Sequence, residues 1–351
     1  MRPKIHILYK FVEGPWGGGN QFLKILLCYF REARVYSESP EDADVILFNS
    51  YPFSSEYLFN LVFKLKWKSD KILIHRVDGP ISYVRGTDKT IDKIIFLFNK
   101  LFADGTIFQS NWSREKNYQI GMRRPPYETI IRNAPDPNVF NSKHKKQPNE
   151  KKLKLIASSW SSNIGKGFDI YRFLDEHLDF NRYQMTFVGN SPIQFNNIKW
   201  IRPVPSLELA DLLKEHDIYI IASKNDPCSN ALLEALHSGL PAVARNDGGH
   251  PEIVGKAGEL FEDESNVIEA IEKVAQDYKY YQAQLDLPNA YMVGKRYYQF
   301  TKNIYEEFSN GSYHPKKASF SNTMGFEVEF ARLKAIYKLH AVIRGLKNRG
   351  K

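Results

Sequence analysis

Short apolar runs alternate with segments of helical period along most of this chain, and the pattern starts twice. Lys4–Tyr9, Asp44–Phe48, Lys71–His75 and Gly105–Gln109 read as buried strands, with helices at 21–30, 55–66 and 91–102 between them. After the polar, charged stretch Asn141–Lys152, which reads as a linker, the run Leu153–Ala157 opens a second series. Strands at 183–188, 198–201, 217–222 and 242–244 and helices at 207–215 and 231–236 continue it. Such alternation implies α/β architecture, with parallel sheets and right-handed crossovers. Two domains are expected, 1–147 and 148–289, with helical runs at 264–284, 291–308 and 326–347 completing the chain.

The second series contains the densest chemistry. The run Ile218-Tyr-Ile-Ile-Ala222 leads into Ser223-Lys-Asn-Asp-Pro-Cys-Ser-Asn-Ala-Leu-Leu-Glu, where Pro227 and Ser229 mark a helix start and Gly239-Leu-Pro241 its stop. Asp226 and Glu234 stand eight positions apart across that start. Free N–H groups at Ser229, Asn230 and Ala231 attract an anionic phosphate. One segment can therefore meet a polyol at Asp226, a phosphate at the helix start and a hydroxyl pair at Glu234.

This arrangement resembles the E-x7-E segment of retaining glycosyltransferases of GT-B fold, family 4, with Asp226 in place of the first Glu. Arg245-Asn-Asp-Gly-Gly-His-Pro-Glu-Ile-Val254 is similar to the family's continuation, and Asn133-Ala-Pro-Asp-Pro-Asn-Val-Phe140 to the segment that closes its first domain. Ser158-Ser-Trp-Ser-Ser-Asn-Ile-Gly-Lys-Gly-Phe-Asp169 resembles its Gly-Arg-x-x-x-x-Lys-Gly turn, Lys166 matching the diphosphate-binding Lys. Ser161 stands where an Arg is usual, with Asn163 in the same turn. The resemblance covers about 1–310. It implies two Rossmann-like domains, a cleft between them, and a crossover helix at 290–310 returning to the first. By the same resemblance, the donor is a nucleoside-diphosphate sugar: Glu234 binds its ribose, Asp226 the transferred sugar, and the backbone near Arg202 and Val204 its base. The glycine-rich Glu13-Gly-Pro-Trp-Gly-Gly-Gly-Asn20 would face the donor phosphate and acceptor through Gly17, Gly18, Gly19 and Asn20.

His75-Arg-Val-Asp-Gly-Pro80 ends a strand, so Arg76 and Asp78 are expected in the cleft. A diphosphate leaving group carries about two negative charges, more than Lys166 and one helix terminus balance. The missing cation is expected from Arg76, Arg245 or Arg202, in that order. Asp42-Ala-Asp44 precedes its strand, whereas ligands collect beyond carboxyl ends, so it reads as a turn and no metal or cofactor is expected. Neither half has the G-x-G-x-x-G fingerprint, which opposes a nicotinamide-dependent dehydrogenase. A catalytically silent sugar-nucleotide binder and a sugar-nucleotide epimerase of the same fold stay open.

Charge is uneven. Residues 311–351 hold nine Lys or Arg against two Glu, so they supply +7 of the total +9. A nearly neutral body argues against nucleic acid as partner. The expected acceptor is a carbohydrate or lipid-linked hydroxyl, in polysaccharide, lipopolysaccharide or glycolipid assembly. Phe326, Phe330, Leu333, Ile336, Tyr337, Ile343 and Leu346 make 326–347 a basic amphipathic helix, expected either on an anionic membrane surface through 316–351 or packed on the body. Two Cys and an N-terminus without a signal-like apolar run imply a cytoplasmic protein, peripheral on the inner membrane face if the tail binds there.

Overall fold

The computed structural model describes residues 2–13, 18–49, 56–87, 89–146, 148 and 152–349. The first domain runs β1 (Ile5–Leu8), α1 (Gly18–Glu32), β2 (Val45–Phe48), α2 (Glu56–Lys68), β3 (Ile72–Val77), α3 (Ile81–Arg85), α4 (Thr90–Phe102), β4 (Gly105–Phe108), α5 (Asn111–Gln119) and β5 (Tyr127–Ile130). The second runs β6 (Leu153–Ser159), α6 (Phe168–His177), β7 (Tyr183–Gly189), β8 (Lys199–Ile201), α7 (Ser206–Glu215) and β9 (Ile218–Ile221). It continues with α8 (Asn230–His237), β10 (Ala242–Arg245), α9 (His250–Val254), β11 (Gly258–Phe261), α10 (Val267–Gln276) and α11 (Tyr278–Ala283). Two long helices, α12 (Ala290–Ser309) and α13 (Phe320–Arg349), follow.

Both sheets are parallel, in the orders β1-β2-β3-β4-β5 and β11-β10-β9-β6-β7-β8. β2, β4, β9 and β10 are buried at every position, because helices cover both faces, and the apolar runs of β2 and β9 follow from that. The α/β expectation holds. The turn expected through Asn20 ends earlier: Gly18 and Gly19 already lie in the first turn of α1. The passage between domains also comes earlier than the polar stretch 141–152, since Phe140 is buried in the second domain's core with Leu209 and Leu213. Lys146 N–H then donates to Lys214 O at 3.1 Å, holding that stretch on the second domain.

The last two helices belong to the first domain. Tyr297 and Ile304 of α12 sit in one core with Phe22, Leu26 and Ile74. Gly294 lies so close to Tyr29 that a Cβ there would stand 2.4 Å from the ring. Phe326 and Leu333 of α13 are buried against Phe59, Phe63, Phe98 and Phe102, with Phe330 and Ile336 at the margin of that cluster. This corrects the bilayer alternative for that face of the tail helix, because the fold uses it. Asp104, fully buried at the head of β4, joins these parts: Oδ2 accepts from Lys66 Nζ and Leu73 N at 2.7 Å, and Oδ1 from Tyr313 OH at 2.8 Å and Lys316 N at 2.7 Å.

Candidate active site in the interdomain cleft

The carboxyl end of β9 opens into the loop 222–229, which two close approaches hold. Gly167, at φ +79°, lies where a Cβ would meet Ala222 O at 2.2 Å. Gly248, at φ +64°, would likewise meet Asp226 O at 2.3 Å. Only glycine takes these conformations without strain at such distances. The turn Ile164–Lys166 is thereby held beside the loop, and Lys166 Nζ stands 3.1 Å from Asp226 Oδ2. Burial works against ionisation of Asp226, but Lys166 and the neighbouring His250 outweigh it and hold the carboxyl below its ordinary pKa. His250 is buried and its own pKa is lowered by that burial. Its Nδ1 lies 3.1 Å from Arg245 O, an acceptor, so that nitrogen carries the proton and Nε2 accepts from Ser223 Oγ at 3.2 Å.

Ser229 caps α8, its side chain accepting from Leu232 N at 3.4 Å. One turn on, Glu234 is partly buried and has no hydrogen-bond or ion-pair partner among the described residues. Desolvation alone pushes its pKa up to about 8.

The facing wall comes from the first domain. β3 carries Arg76, 1% exposed, into a set of oxygen acceptors: Nη1 donates to Asp78 Oδ1 at 2.8 Å and Nη2 to Asn133 Oδ1 at 2.9 Å, over the ring of Phe22. Gln109 Nε2 donates to the same Asp78 oxygen. The walls touch directly. Asn133 Nδ2 donates to Asn230 Oδ1 at 2.9 Å, and a Cβ on Gly18 would stand 1.7 Å from Asn230 Nδ2. A Cβ on Gly79 would stand 2.9 Å from both Pro227 and Trp112. Glu252 of α9 crosses to the N-terminus of α5, its carboxylate accepting from Asn111 N at 2.9 Å, Asn111 Nδ2 at 3.0 Å and Trp112 N at 2.9 Å.

Between these walls lies a cavity of about 390 Å³. Gly18, Gly19, Arg76, Asp78, Ser161, Lys166, Asp226, Ser229, Asn230, Ala231 and Glu234 all line it. A second space of about 700 Å³ adjoins it, sharing Gly18, Asn230 and Glu234. Gly17 lies outside the described residues. Three expected residues do other work. Asn20 is buried with its amide spent on Val12, at 2.9 and 3.0 Å, because a buried amide must be satisfied. Asn163 caps the turn before Lys166, accepting from Gly165 N at 2.9 Å. Arg202 lies over the Trp200 ring. Val204 lines a neighbouring depression with Trp160 and Ser206.

The expected order of spare cations needs correction. Arg76 is already paired with Asp78, because a buried guanidinium requires a counter-charge. Arg245 is buried beside Asp169 at 3.7 Å. Sequence reading also missed Trp160, Ser206, Asn133 and Glu252. For Asn133 a signal existed, in the segment that closes the first domain.

Residues 170–277, all in the second domain, match the family model described as "Glycosyl transferases group 1". A stretch of 91 residues is 30% identical to sulfoquinovosyl transferase SQD2 of Arabidopsis thaliana, covering 22% of this chain and 18% of that protein. This chain thus corresponds to under a fifth of that relative. Among solved structures, Anabaena Alr3699/HepE in complex with UDP-glucose superposes with a TM-score of 0.60 at 15% identity, over 88% of this chain and all of that one. AviGT4, a glycosyltransferase involved in avilamycin A biosynthesis, gives 0.56 at 15% identity, over 86% and 98%. Sucrose-phosphate synthase from Thermosynechococcus elongatus gives 0.53 at 13% identity, over 95% and 83%. The chain has the GT-B fold, and within its second domain it resembles the group 1 glycosyltransferases.

Proposed function

We propose that the protein is a retaining glycosyltransferase that moves a sugar from a nucleoside-diphosphate sugar to an acceptor hydroxyl. The convergence of Lys166, Asp226, Glu234 and two helix N-termini on one cavity carries this reading. UDP-glucose, bound by Anabaena Alr3699/HepE, is the first donor to test.

The diphosphate lies between the start of α8, the start of α1 at Gly18 and Gly19, and Lys166. Each helix terminus offers roughly half a positive charge, so together with Lys166 they approach the two charges of the leaving group. The second terminus supplies what the Ser161 position lacks, which Arg76 does not. Asp226 takes hydroxyls of the transferred sugar while Lys166 turns to the phosphate. Glu234 accepts from the ribose hydroxyls, and the base rests in the depression of Trp160, Val204 and Ser206. The bond from C1 to the phosphate oxygen breaks, and the acceptor oxygen joins C1 on the vacated face. The acceptor's proton passes to the departing phosphate oxygen, so no protein nucleophile is required.

Lys166 and the two helix termini neutralise the leaving group, and transfer therefore proceeds without a divalent cation or cofactor. Activity abolished by EDTA and restored by Mn²⁺ would refute this. The acceptor is a carbohydrate or lipid-linked hydroxyl, as in polysaccharide, lipopolysaccharide or glycolipid assembly. No helix among the described residues is long and apolar enough to cross a membrane. The pairing of Arg76 with Asp78 favours one second reading, a silent sugar-nucleotide binder. Turnover of UDP-glucose by purified protein, with or without a sugar acceptor, decides between them: release of UDP supports the transferase, and tight binding without release supports the binder.

A further inference from the structure

α13 carries two apolar faces, and the fold uses only one. Opposite Phe326 and Leu333 lies an outward stripe: Phe320, Met324, Val328, Ala331, Ala335, Leu339 and Val342. Its large members are 45 to 70% exposed, far from the ordinary state of Phe, Met, Val and Leu. Their steps of four, four and three repeat every eleven residues. That period of about 3.67 residues per turn is close to the 3.6 of a straight helix, so the stripe drifts only slightly around the axis along this helix. It suits a flat surface.

The surroundings say which surface. Acids near the stripe are already paired: Glu329 with Arg332, Glu56 with Lys334 and Asp70 with Lys317. Glu327 adds one negative charge, against exposed Lys338 on α13 and exposed Lys64 and Lys68 on α2. Trp67, 54% exposed, stands between those two lysines beside Thr323 and Glu327. An amphipathic ring flanked by lysines is the side-chain combination of the membrane interface. Two copies meeting through this stripe would bring two segments of +7 together, whereas anionic lipid is attracted by the same charge.

We infer that the outward stripe of α13, with Trp67, Lys64 and Lys68 of α2, docks the first domain on an anionic bilayer surface without insertion of a spanning helix. The inference does not rest on sugar transfer, and its test uses no donor.

The experiment compares sedimentation of the full chain with vesicles of phosphatidylcholine alone and of equal parts phosphatidylcholine and phosphatidylglycerol. Point variants serve better than a deletion, because removing α13 would uncover Phe59, Phe63 and Phe98. Wild type should sediment with the anionic vesicles and leave them at high salt. The combined Met324→Ser, Val328→Ser and Leu339→Ser variant should lose about tenfold or more in vesicle affinity with its unfolding midpoint unchanged. Lys64→Gln, Lys68→Gln and Lys338→Gln together should also weaken it. Equal sedimentation of wild type and the serine variant, or binding to neutral vesicles as strong as to anionic ones, would overturn the inference. So would a wild-type dimer in solution that the serine variant turns into a monomer, since the stripe would then belong to a second copy.

Discussion

The two walls of the cleft use charge in opposite ways. On the second-domain wall Lys166 and Asp226 meet at 3.1 Å with Lys166 about one-third exposed, and Glu234 has no partner among the described residues. These groups are poised to exchange partners when a ligand arrives. On the first-domain wall Arg76 is buried and bonded to Asp78 and Asn133 before any ligand is present. It is a fixed scaffold. On the proposed reading, the loosely held wall supplies the side chains that meet the donor, and the locked wall adds the backbone at the start of α1 and fixes the geometry.

The severest break of that contrast is Lys166→Met. It removes the mobile cation from the developing diphosphate charge and should lower kcat by about 10²–10³. Arg76→Lys should instead act mainly on stability, measured by thermal unfolding, because the planar fork that meets Asp78 and Asn133 is lost. Equal effects of the two on kcat alone would dissolve the distinction.

The next effect is a pH dependence. Glu234 must ionise to accept two ribose hydroxyls, yet burial raises its pKa to about 8. UDP-glucose has no group titrating between pH 6 and 8, so its affinity should rise nearly tenfold from pH 6 to 7 and about fivefold from pH 7 to 8, and calorimetry should detect proton release. Glu234→Gln should flatten the slope. In the unliganded protein the sign reverses. The folded state holds this proton more tightly than the unfolded chain, whose carboxyl titrates near 4.5, so stability should fall as pH rises from about 4.5 to 8. The Gln variant should lose that decline.

A smaller loss, about tenfold in kcat, is expected for Glu252→Ala, which removes three hydrogen bonds between the walls. UDP affinity should fall less than kcat, because Lys166, Glu234 and the start of α8 all belong to the second domain. Small-angle scattering should show the variant more open; a compact variant with normal turnover would deny Glu252 this role. Gly294→Ala affects neither wall. Overpacking Tyr29 should cost about 1–3 kcal/mol of stability with the chemistry intact, as urea unfolding and a donor assay would show together.

The same division governs how much the sequence reveals. The second-domain wall is largely local: Asp226, Ser229 and Glu234 sit on one loop and helix, so spacing groups them, and the family resemblance adds Lys166 from its own turn. Bonds across the cleft connect residues 97 to 141 positions apart, as in Asn133–Asn230 and Asn111–Glu252, and no local pattern reports them. The pairing of Arg76 was accessible in principle, because residues two apart at a strand's end face the same side. α5 escaped because its buried positions, Ser113 and Asn117, are polar, and β5 because its four residues are only partly buried. On α13 the face opposite the packed one was legible as an eleven-residue repeat, but only the structure tells which face the core takes.

Asp104 has a consequence for how the chain is made. Its four donors include Tyr313 and Lys316, more than two hundred residues downstream, and α12 and α13 complete the cores built on β1 to β4. A ribosome emits the first domain's strands early, but the helices that seal them emerge only after the second domain. The second domain, whose elements all lie between 153 and 283, can finish first, although domains usually fold from the N-terminus onward. During translation the first domain waits with its phenylalanine cluster uncovered, a window in which chaperones have most to hold.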